Sequence, residues 1–348
     1  MSSMRWMPRV NWSYSYKPKR CLVQLTFIID PIHKLDPGHD TSVALMEAAQ
    51  GQGHELWITQ IEQLTLQGGQ TWAQVHPVKL HPVPLVEGRW VAPDPWYTLG
   101  EAQLLPLERM DAVFMRKDPP VTTPYLYATY LLDYIDPNQT LVINSPHGLR
   151  TANEKMYTFQ FRTVMPDTIV SQDPQIIRQF TEHYGTAVLK PLGGKAGEGI
   201  LLLQGSDRNF NSLIEISTHR GQVPVMVQEY LPAAVEGDKR IILLNGEPIG
   251  AVNRVPTGKE FRGNMATGGQ VMQSTLTAAE HQICKQLAPK LQQDGLFFVG
   301  IDIIGGYLTE VNVTSPTGIR EIDRLDGAHL GDRVMDWLQQ TRRGALSS

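Results

Sequence analysis

Two short runs near the C-terminus restrict this chain more than any other feature. In Val299-Gly300-Ile301-Asp302-Ile303-Ile304 one carboxylate interrupts an apolar stretch, and in Leu308-Thr309-Glu310-Val311-Asn312-Val313 polar and apolar residues alternate. Alternation with period two marks a strand with one packed face and one free face, so Glu310 and Asn312 share a side. The runs read as an antiparallel hairpin on which Asp302 can face the same way. Three oxygen-bearing side chains then converge as a hard divalent cation requires, magnesium carried by a nucleotide being the natural occupant. The other reading is the solvated face of an ordinary hairpin. Asp302 weighs against it, because an unpaired carboxylate in an apolar strand is costly.

A chain of 348 residues exceeds one small core, and the usual ~100–200 residues per domain predict two or three units. The first begins at Leu22–Asp30, a buried strand, followed by a helix over Ser42–Ala49, strands at Ala112–Met115 and Leu141–Asn144, and a helix over Tyr125–Tyr134. That alternation predicts an open, mostly parallel α/β layer over 21–143. Residues 64–105, rich in Pro, Gly and Trp, read as loops with short strands. From 144 to 340 the texture changes to strands with charged or glycine-rich exits, at 187–190, 200–203, 225–230, 240–244, 298–304 and 308–313. Helices at 173–184, 278–294 and 331–340 cover them, giving antiparallel sheets and α+β character. Residues 1–20, basic and aromatic without an apolar core, read as a flexible extension, and 341–348 as a tail.

A net charge of -4 supplies no basic field, so nucleic acid is not an expected partner. No apolar run approaches the ~20 residues of a membrane span. With only Cys21 and Cys284 there is neither a disulfide framework nor a cysteine zinc site, which favours the cytoplasm. His33, His39 and His54 lack metal-ligand spacing, and all ten histidines are read as structural or surface residues.

Other runs carry weaker signals. Leu189-Lys190-Pro191 leads into a turn containing Gly193, Gly194, Gly197 and Gly199, where backbone N–H groups can approach phosphate beside a strand-end lysine. It is neither a Walker A loop nor a dinucleotide fingerprint. Asn153-Glu154-Lys155 reads as a helix start. Gln228-Glu229-Tyr230-Leu231 ends an apolar strand with groups suited to an adenine edge, and Lys239-Arg240 forms a basic pair at a strand mouth. Arg116 lies at the C-terminal end of a strand, where ligands of α/β sheets bind. Arg254, Arg262 and Asn264 offer carboxylate- or phosphate-binding groups beside flexible backbone. Alone, the glycine turn, Lys155, the Gln228 run and the Lys239-Arg240 pair read first as an ordinary turn, surface lysine or strand end, and each arginine equally as a surface ion pair.

Taken in order, Asn153-Glu154-Lys155, Leu189-Lys190-Pro191, Gln228-Glu229-Tyr230-Leu231, Gly237-Asp238-Lys239-Arg240, Asp302 and Glu310-Val311-Asn312 resemble the ATP-grasp superfamily. Within it, Met115-Arg116-Lys117-Asp118-Pro119-Pro120, Asn312-Val313-Thr314-Ser315-Pro316-Thr317 and Gly318-Ile319-Arg320-Glu321-Ile322 resemble bacterial glutathione synthetase, over about Leu22 to Leu338. The resemblance implies an ATP-grasp fold of two α+β subdomains after the N-terminal layer, ATP as cosubstrate, and magnesium or manganese on Asp302, Glu310 and Asn312. It places Lys155, Lys190, the loop glycines Gly193, Gly194, Gly197 and Gly199, Lys239 and Arg240 on the nucleotide, with Gln228, Glu229, Tyr230 and Leu231 at adenine. Arg116, Arg254, Asn264, Ser315 and Thr317 would contact the peptide, and Arg254, Lys190, Arg262 and Asn264 would act on the transferred phosphate. The loop 193–199 departs from the familiar Asp-Gly-Met-Gly-Gly, which leaves its individual contacts open. The implied reaction joins γ-glutamylcysteine to glycine through an acyl phosphate, in a homo-oligomer. Residues 256–270, rich in glycine, are the candidate lid that would keep water from that intermediate. The rival readings are a ligase for another carboxylate and amine, and a noncatalytic ATP-binding scaffold.

Overall fold

The structure, a computed structural model, describes residues 22–195, 197–257 and 269–346. The extension 1–20, Arg262, Asn264 and most of the candidate lid lie outside them. The chain opens with β1 (Gln24–Ile28), α1 (Thr41–Gly51) and β2 (Glu55–Thr59). Asp40 fixes the start of α1 by accepting the Ser42 and Val43 N–H groups at 2.6 and 3.1 Å, the usual role of an N-cap carboxylate.

Six strands follow, β3 (Leu64–Gln67), β4 (Gln70–Leu80), β5 (Leu85–Val86), β6 (Arg89–Trp90), β7 (Tyr97–Leu99) and β8 (Gln103–Pro106). Five of them are short, as expected. The 11-residue β4 is not, and its period was hidden because its inward set changes phase at His76-Pro77, from Thr71, Ala73 and Val75 to Val78 and Leu80. After β9 (Ala112–Met115), α2 (Thr123–Leu132), β10 (Leu141–Ile143) and α3 (Pro146–Thr151), the first sheet is complete. Its order is β10-β9-β1-β2-β4-β3, parallel from β10 to β2 and antiparallel beyond.

The next six elements are β11 (Thr168–Ser171), α4 (Pro174–Tyr184), β12 (Thr186–Pro191), β13 (Leu201–Gln204), α5 (Phe210–Ser217) and β14 (Val225–Glu229). Their strands form an antiparallel sheet, β11-β14-β12-β13, with a core of its own around Ile177, Leu189, Phe210 and Val227. Then come β15 (Asp238–Leu244), β16 (Glu247–Val255), β17 (Gln270–Gln273), α6 (Ala278–Gln293), β18 (Phe298–Ile304), β19 (Tyr307–Asn312), α7 (Ile319–Asp326) and α8 (Leu330–Leu346). Here the sheet is β17-β16-β15-β18-β19, all antiparallel. An α/β layer is thus followed by two α+β units, the expected class, but its sheet is mixed rather than mostly parallel, because β4 pairs antiparallel with β2, β3, β7 and β8. The sequence did not announce β2, α3, β11, β16, β17, α5 or α7. In β16, Pro248 and Gly250 mask a strand whose stability comes from its neighbours, and α7 is too short for its two buried isoleucines, Ile319 and Ile322, to show a period.

The first and third sheets share two cores. Val113, Met115 and Tyr125 pack with Ile241, Val299 and Leu287, while Phe27, Leu45 and Met46 pack with Ile242, Phe298 and Val334. Burial of such side chains is worth about 1.5–3 kcal/mol each, so the N-terminal layer is fixed on the third sheet. Asn144 stitches the joint, donating to Phe298 O and Val313 O and accepting from Phe298 N, all at 2.8 Å.

The start of α8 yields a pH prediction. Asp323 accepts the Leu330 N–H at 3.0 Å, and burial, partly offset by that bond, pushes its carboxyl up to about 6. A carboxyl whose folded pKa exceeds its unfolded value costs stability as pH rises between the two. Asp323→Asn keeps an acceptor for Leu330, so its Tm relative to the parent should climb from pH 4 to 7. A difference that stays flat over that range would contradict this account.

Candidate active site

The second and third sheets face one another across a cleft walled by Val188, Lys190 and Gln228 to Leu231 on one side and Asp238, Asp302, Ile304 and Glu310 on the other. A second cleft is walled by His39, Asp40 and Asp118 of the N-terminal layer, by Gly194, Lys195 and Gly197, and by Arg240, Arg254, Asn312, Ser315 and Thr317. Lys155, Ile200 and Glu310 line both, so one opens into the other.

At the floor lies a cluster of buried charge. Arg240 is the register partner of Asp302 and donates Nε and Nη2 to its carboxylate at 2.5 and 2.9 Å. Arg254 Nη2 lies 3.0 Å from Asp302 and 2.6 Å from Asp238. Asp302, Arg240 and Arg254 are only 2%, 5% and 2% exposed, so water does not share the task of neutralisation. Burial alone would raise the Asp302 pKa, but the two guanidinium groups outweigh it and hold the carboxyl well below the usual range. Asp238 is treated differently: burial, only partly offset by Arg254, pushes it up. Its Oδ1 has no hydrogen-bond partner among the described residues.

Asp302 and Glu310 are direct register partners, and Asn312 lies two residues along β19, so the three share one face as their alternation predicts. Asn312 Nδ2 donates to Asp302 at 3.2 Å, and Glu310 pairs with Lys155 at 3.0 Å. Among the described residues no three His, Cys, Asp or Glu side chains are grouped as a metal site. The all-oxygen set of two carboxylates and an amide nevertheless fits a hard divalent cation.

Lys190 Nζ donates to Gln228 Oε1 at 2.8 Å, and Gln228 Nε2 to Thr168 Oγ1 at 2.9 Å. Both ends of this amide are thus committed to holding the lysine, while Glu229, Tyr230 and Leu231 border the pocket beyond it. Burial lowers the Lys190 pKa, opposed by the Glu310 charge. In the glycine loop a Cβ on Gly194 would meet Glu198 O at 2.9 Å, and Gly199 has φ +68 with Pro191 Cγ 2.8 Å from any added Cβ. Neither position accepts a side chain without movement. Lys195 reaches to 3.8 Å from Asp118 across the second cleft.

Asn153 to Lys155 do not begin an α-helix. They link α3 to a 3-10 turn over Met156–Phe161. Asn153 Nδ2 donates to Leu192 O at 3.1 Å and Lys155 Nζ to Gly194 O at 2.9 Å. Glu154 Oε1 accepts Val313 N, Thr314 N and Thr314 Oγ1 at 2.9, 3.0 and 2.8 Å. Three consecutive residues therefore join the glycine loop, the Glu310 strand and the loop carrying Ser315 and Thr317.

The family model described as prokaryotic glutathione synthetase, N-terminal domain, matches residues 23–150, and that described as prokaryotic glutathione synthetase, ATP-grasp domain, matches 154–327. The chain belongs to the prokaryotic glutathione synthetase family. The glutathione synthetase of Thermosynechococcus vestitus is 67% identical over 316 residues, covering 91% of this chain and 99% of the relative. That of Gloeobacter violaceus is 49% identical over 330 residues, 93% of this chain and 99% of the relative. Among solved structures, D-cycloserine synthetase DcsG superposes with a TM-score of 0.60 at 15% identity, covering 92% of this chain and 99% of that one. The macrocyclase MdnC from Microcystis aeruginosa, bound with precursor peptide MdnA, gives 0.60 at 16%, covering 91% and 99%. At such identities these two establish the ATP-grasp fold alone.

Within this family frame two expected positions are placed elsewhere. Lys239 does not join Arg240 at the cleft, because neighbours on a strand point to opposite faces. It crosses to α6, where it pairs with Glu280 at 2.8 Å and donates to Thr275 O at 3.0 Å. Asp238, two residues from Arg240, occupies the cleft instead, as period two would have indicated. Arg116 is buried behind the second cleft, donating Nε to Ser42 Oγ at 3.1 Å and Nη2 to Pro316 O at 3.0 Å. It supports the Ser315–Thr317 loop from behind, and its Nη1 has no hydrogen-bond partner among the described residues. Glu154 and Thr168 were missed because their partners, 159 and 60 residues away in sequence, leave no spacing signal.

Lys239→Ala should keep ATP affinity and turnover close to the parent, whereas Arg240→Ala should lower turnover on the order of 10²-fold. Calorimetric ATP titration with phosphate-release kinetics distinguishes them, and loss of ATP binding in Lys239→Ala would refute the face assignment. Glu154→Ala strands donors that each cost about 1–3 kcal/mol when buried and unmet. Glu154→Gln retains an acceptor and should unfold at a clearly higher temperature than Glu154→Ala; equal melting of the two would remove Glu154 as the holder of this loop.

Proposed function

We propose that this chain joins γ-L-glutamyl-L-cysteine to glycine, forming glutathione, ADP and phosphate. It is an ATP-dependent carboxylate–amine ligase. The observation that carries the chemistry is the junction at Lys155 and Glu310, where a nucleotide cleft opens into a second cleft large enough for a peptide. The identity of the substrates rests on the family.

In this reading the cysteinyl carboxylate attacks the γ-phosphorus of ATP, the bond to the β-γ bridging oxygen breaks, and ADP leaves. The neutral glycine amine then attacks the acyl carbon, phosphate departs, and the amine loses a proton. Lys155 and Lys190 hold the phosphates, and Glu229 to Leu231 border the adenine. Arg254 and Arg240 supply preorganised positive charge near the transferred group, which suits phosphoryl transfer, a step limited by alignment and neutralisation. Asp302, Glu310 and Asn312 would hold magnesium or manganese, which when bound neutralises phosphate charge. Ser315 and Thr317 face the peptide, and Arg262 and Asn264 are assigned to the transferred phosphate from the sequence. Domains at 21–143 and 144–340, a cytoplasmic setting and a homo-oligomer complete the proposal; among the described residues no helix is long and apolar enough to cross a membrane.

Purified protein with Mg-ATP should release phosphate only when γ-glutamylcysteine and glycine are both present, with glutathione appearing in equal amount. ATP binding without turnover under any combination would rule out glutathione synthesis.

A further inference from the structure

Most charged groups around the second cleft are already committed: Lys155 to Glu310, Arg240 and Arg254 to Asp302, Glu154 to Val313 and Thr314. The loop between β1 and α1 differs. It brings His39 and Asp40 to the cleft wall, and each is committed on one side only. Asp40 Oδ1 caps α1, and His39 Nδ1 pairs with Glu321 Oε1 on α7. Among the described residues, Asp40 Oδ2 and His39 Nε2 make no hydrogen bond. Behind them Arg116 Nη1 and Glu321 Oε2 are also buried without a partner among those residues. His39 and Asp40 therefore stand side by side on the cleft wall, each with one side-chain atom left unengaged among the described residues; burial raises the Asp40 pKa, opposed by the Arg116 charge, so a bound cation would favour its carboxylate form. The hydrogen bond from Glu321, opposed by burial, raises the His39 pKa and favours the imidazolium; Asp36 and Asp40 on its own loop act in the same direction.

We infer that His39 and Asp40 form the subsite for an α-amino-acid head group, the imidazolium taking its α-carboxylate and Asp40 Oδ2 its α-ammonium, with Glu321 as the positioning residue for His39. The inference rests on the proposed dipeptide reading and deepens it. A γ-linked glutamyl residue leaves ammonium and carboxylate free on one carbon, whereas an α-linked one does not. This pair of side chains would therefore select the linkage.

The test uses the full-length enzyme with saturating Mg-ATP and glycine, and phosphate release as readout. The peptides are γ-glutamylcysteine, glutaryl-cysteine, which lacks the ammonium, and 4-aminobutanoyl-cysteine, which lacks the carboxylate. Asp40→Asn preserves the helix cap, since Asn caps as well as Asp. It should lower kcat/KM for γ-glutamylcysteine on the order of 10–100-fold, the worth of a hydrogen bond to a charged group, and leave glutaryl-cysteine unaffected. His39→Gln should lower it similarly and leave 4-aminobutanoyl-cysteine unaffected. Glu321→Gln should follow His39→Gln with a raised peptide KM and retained kcat. ATP affinity, read in the other cleft, should be unchanged in all three variants. Equal losses with all three peptides, or none with γ-glutamylcysteine, would overturn the inference. A parent enzyme inactive toward γ-glutamylcysteine would overturn the ligase reading itself, and this subsite with it.

Discussion

Asp302 sits in the middle of an apolar strand, almost wholly buried at the floor of the cleft, and a charge in that position persists only if it is matched on the spot. The match comes from Arg240 on the adjacent strand β15 and from Arg254 on β16, one strand further across the sheet. Breaking such a buried arrangement by removing one partner typically costs about 3–5 kcal/mol, so the pairing holds the register of β15, β16 and β18 together. Once that register is set, alternation assigns every other side chain on the sheet. Asp238, Asp302 and Glu310 go to the first cleft and Arg240 to the second, while Ile241, Val299, Ile301 and Val311 go to the core beneath α6. The groups proposed to serve phosphate chemistry are the same ones that hold the sheet in register.

The rest of the site is arranged around this sheet by contacts far apart in sequence. The N-terminal layer is bound to it through two shared cores and the Asn144 side chain, so the loops bearing His39, Asp40 and Asp118 are presented to the second cleft from a fixed base. The small sheet with its glycine loop has a separate core. It reaches the catalytic face through few polar links, chiefly Asn153 to Leu192, Lys155 to Gly194 and Lys195 to Asp118. Such an attachment, by hydrogen bonds and one exposed ion pair among the described residues, fixes this unit less firmly than the shared cores fix the N-terminal layer.

Much of this was legible in the residues because the signals were local. The alternation in 308–313 gave the common face of Glu310 and Asn312, the apolar runs at 22–30 and 112–115 gave parallel strands of the first sheet, and the order of weak motifs gave the superfamily. Lys239 shows what happens when a motif is read without its period: as a basic pair it belonged beside Arg240, but on a strand it had to face α6. β4 and β16 were obscured for a related reason, since Pro77, Pro248 and Gly250 are tolerated only because neighbouring strands supply the pairing.

By itself, then, the sequence determined the class of fold, the strand faces and the chemical types proposed to serve nucleotide and metal, because periodicity and composition act over a few residues. Only the tertiary structure decided which charges are paired and which are left open. Glu154 became the anchor of the Ser315 loop, Gln228 the holder of Lys190, Arg116 a support behind the wall, and His39 part of the cleft rather than an ordinary surface histidine. Each of those roles depends on a partner between 38 and 282 residues away in the chain. Desolvation and hydrogen bonding are decided by what the folded chain brings within about 3 Å, and no local pattern encodes that distance.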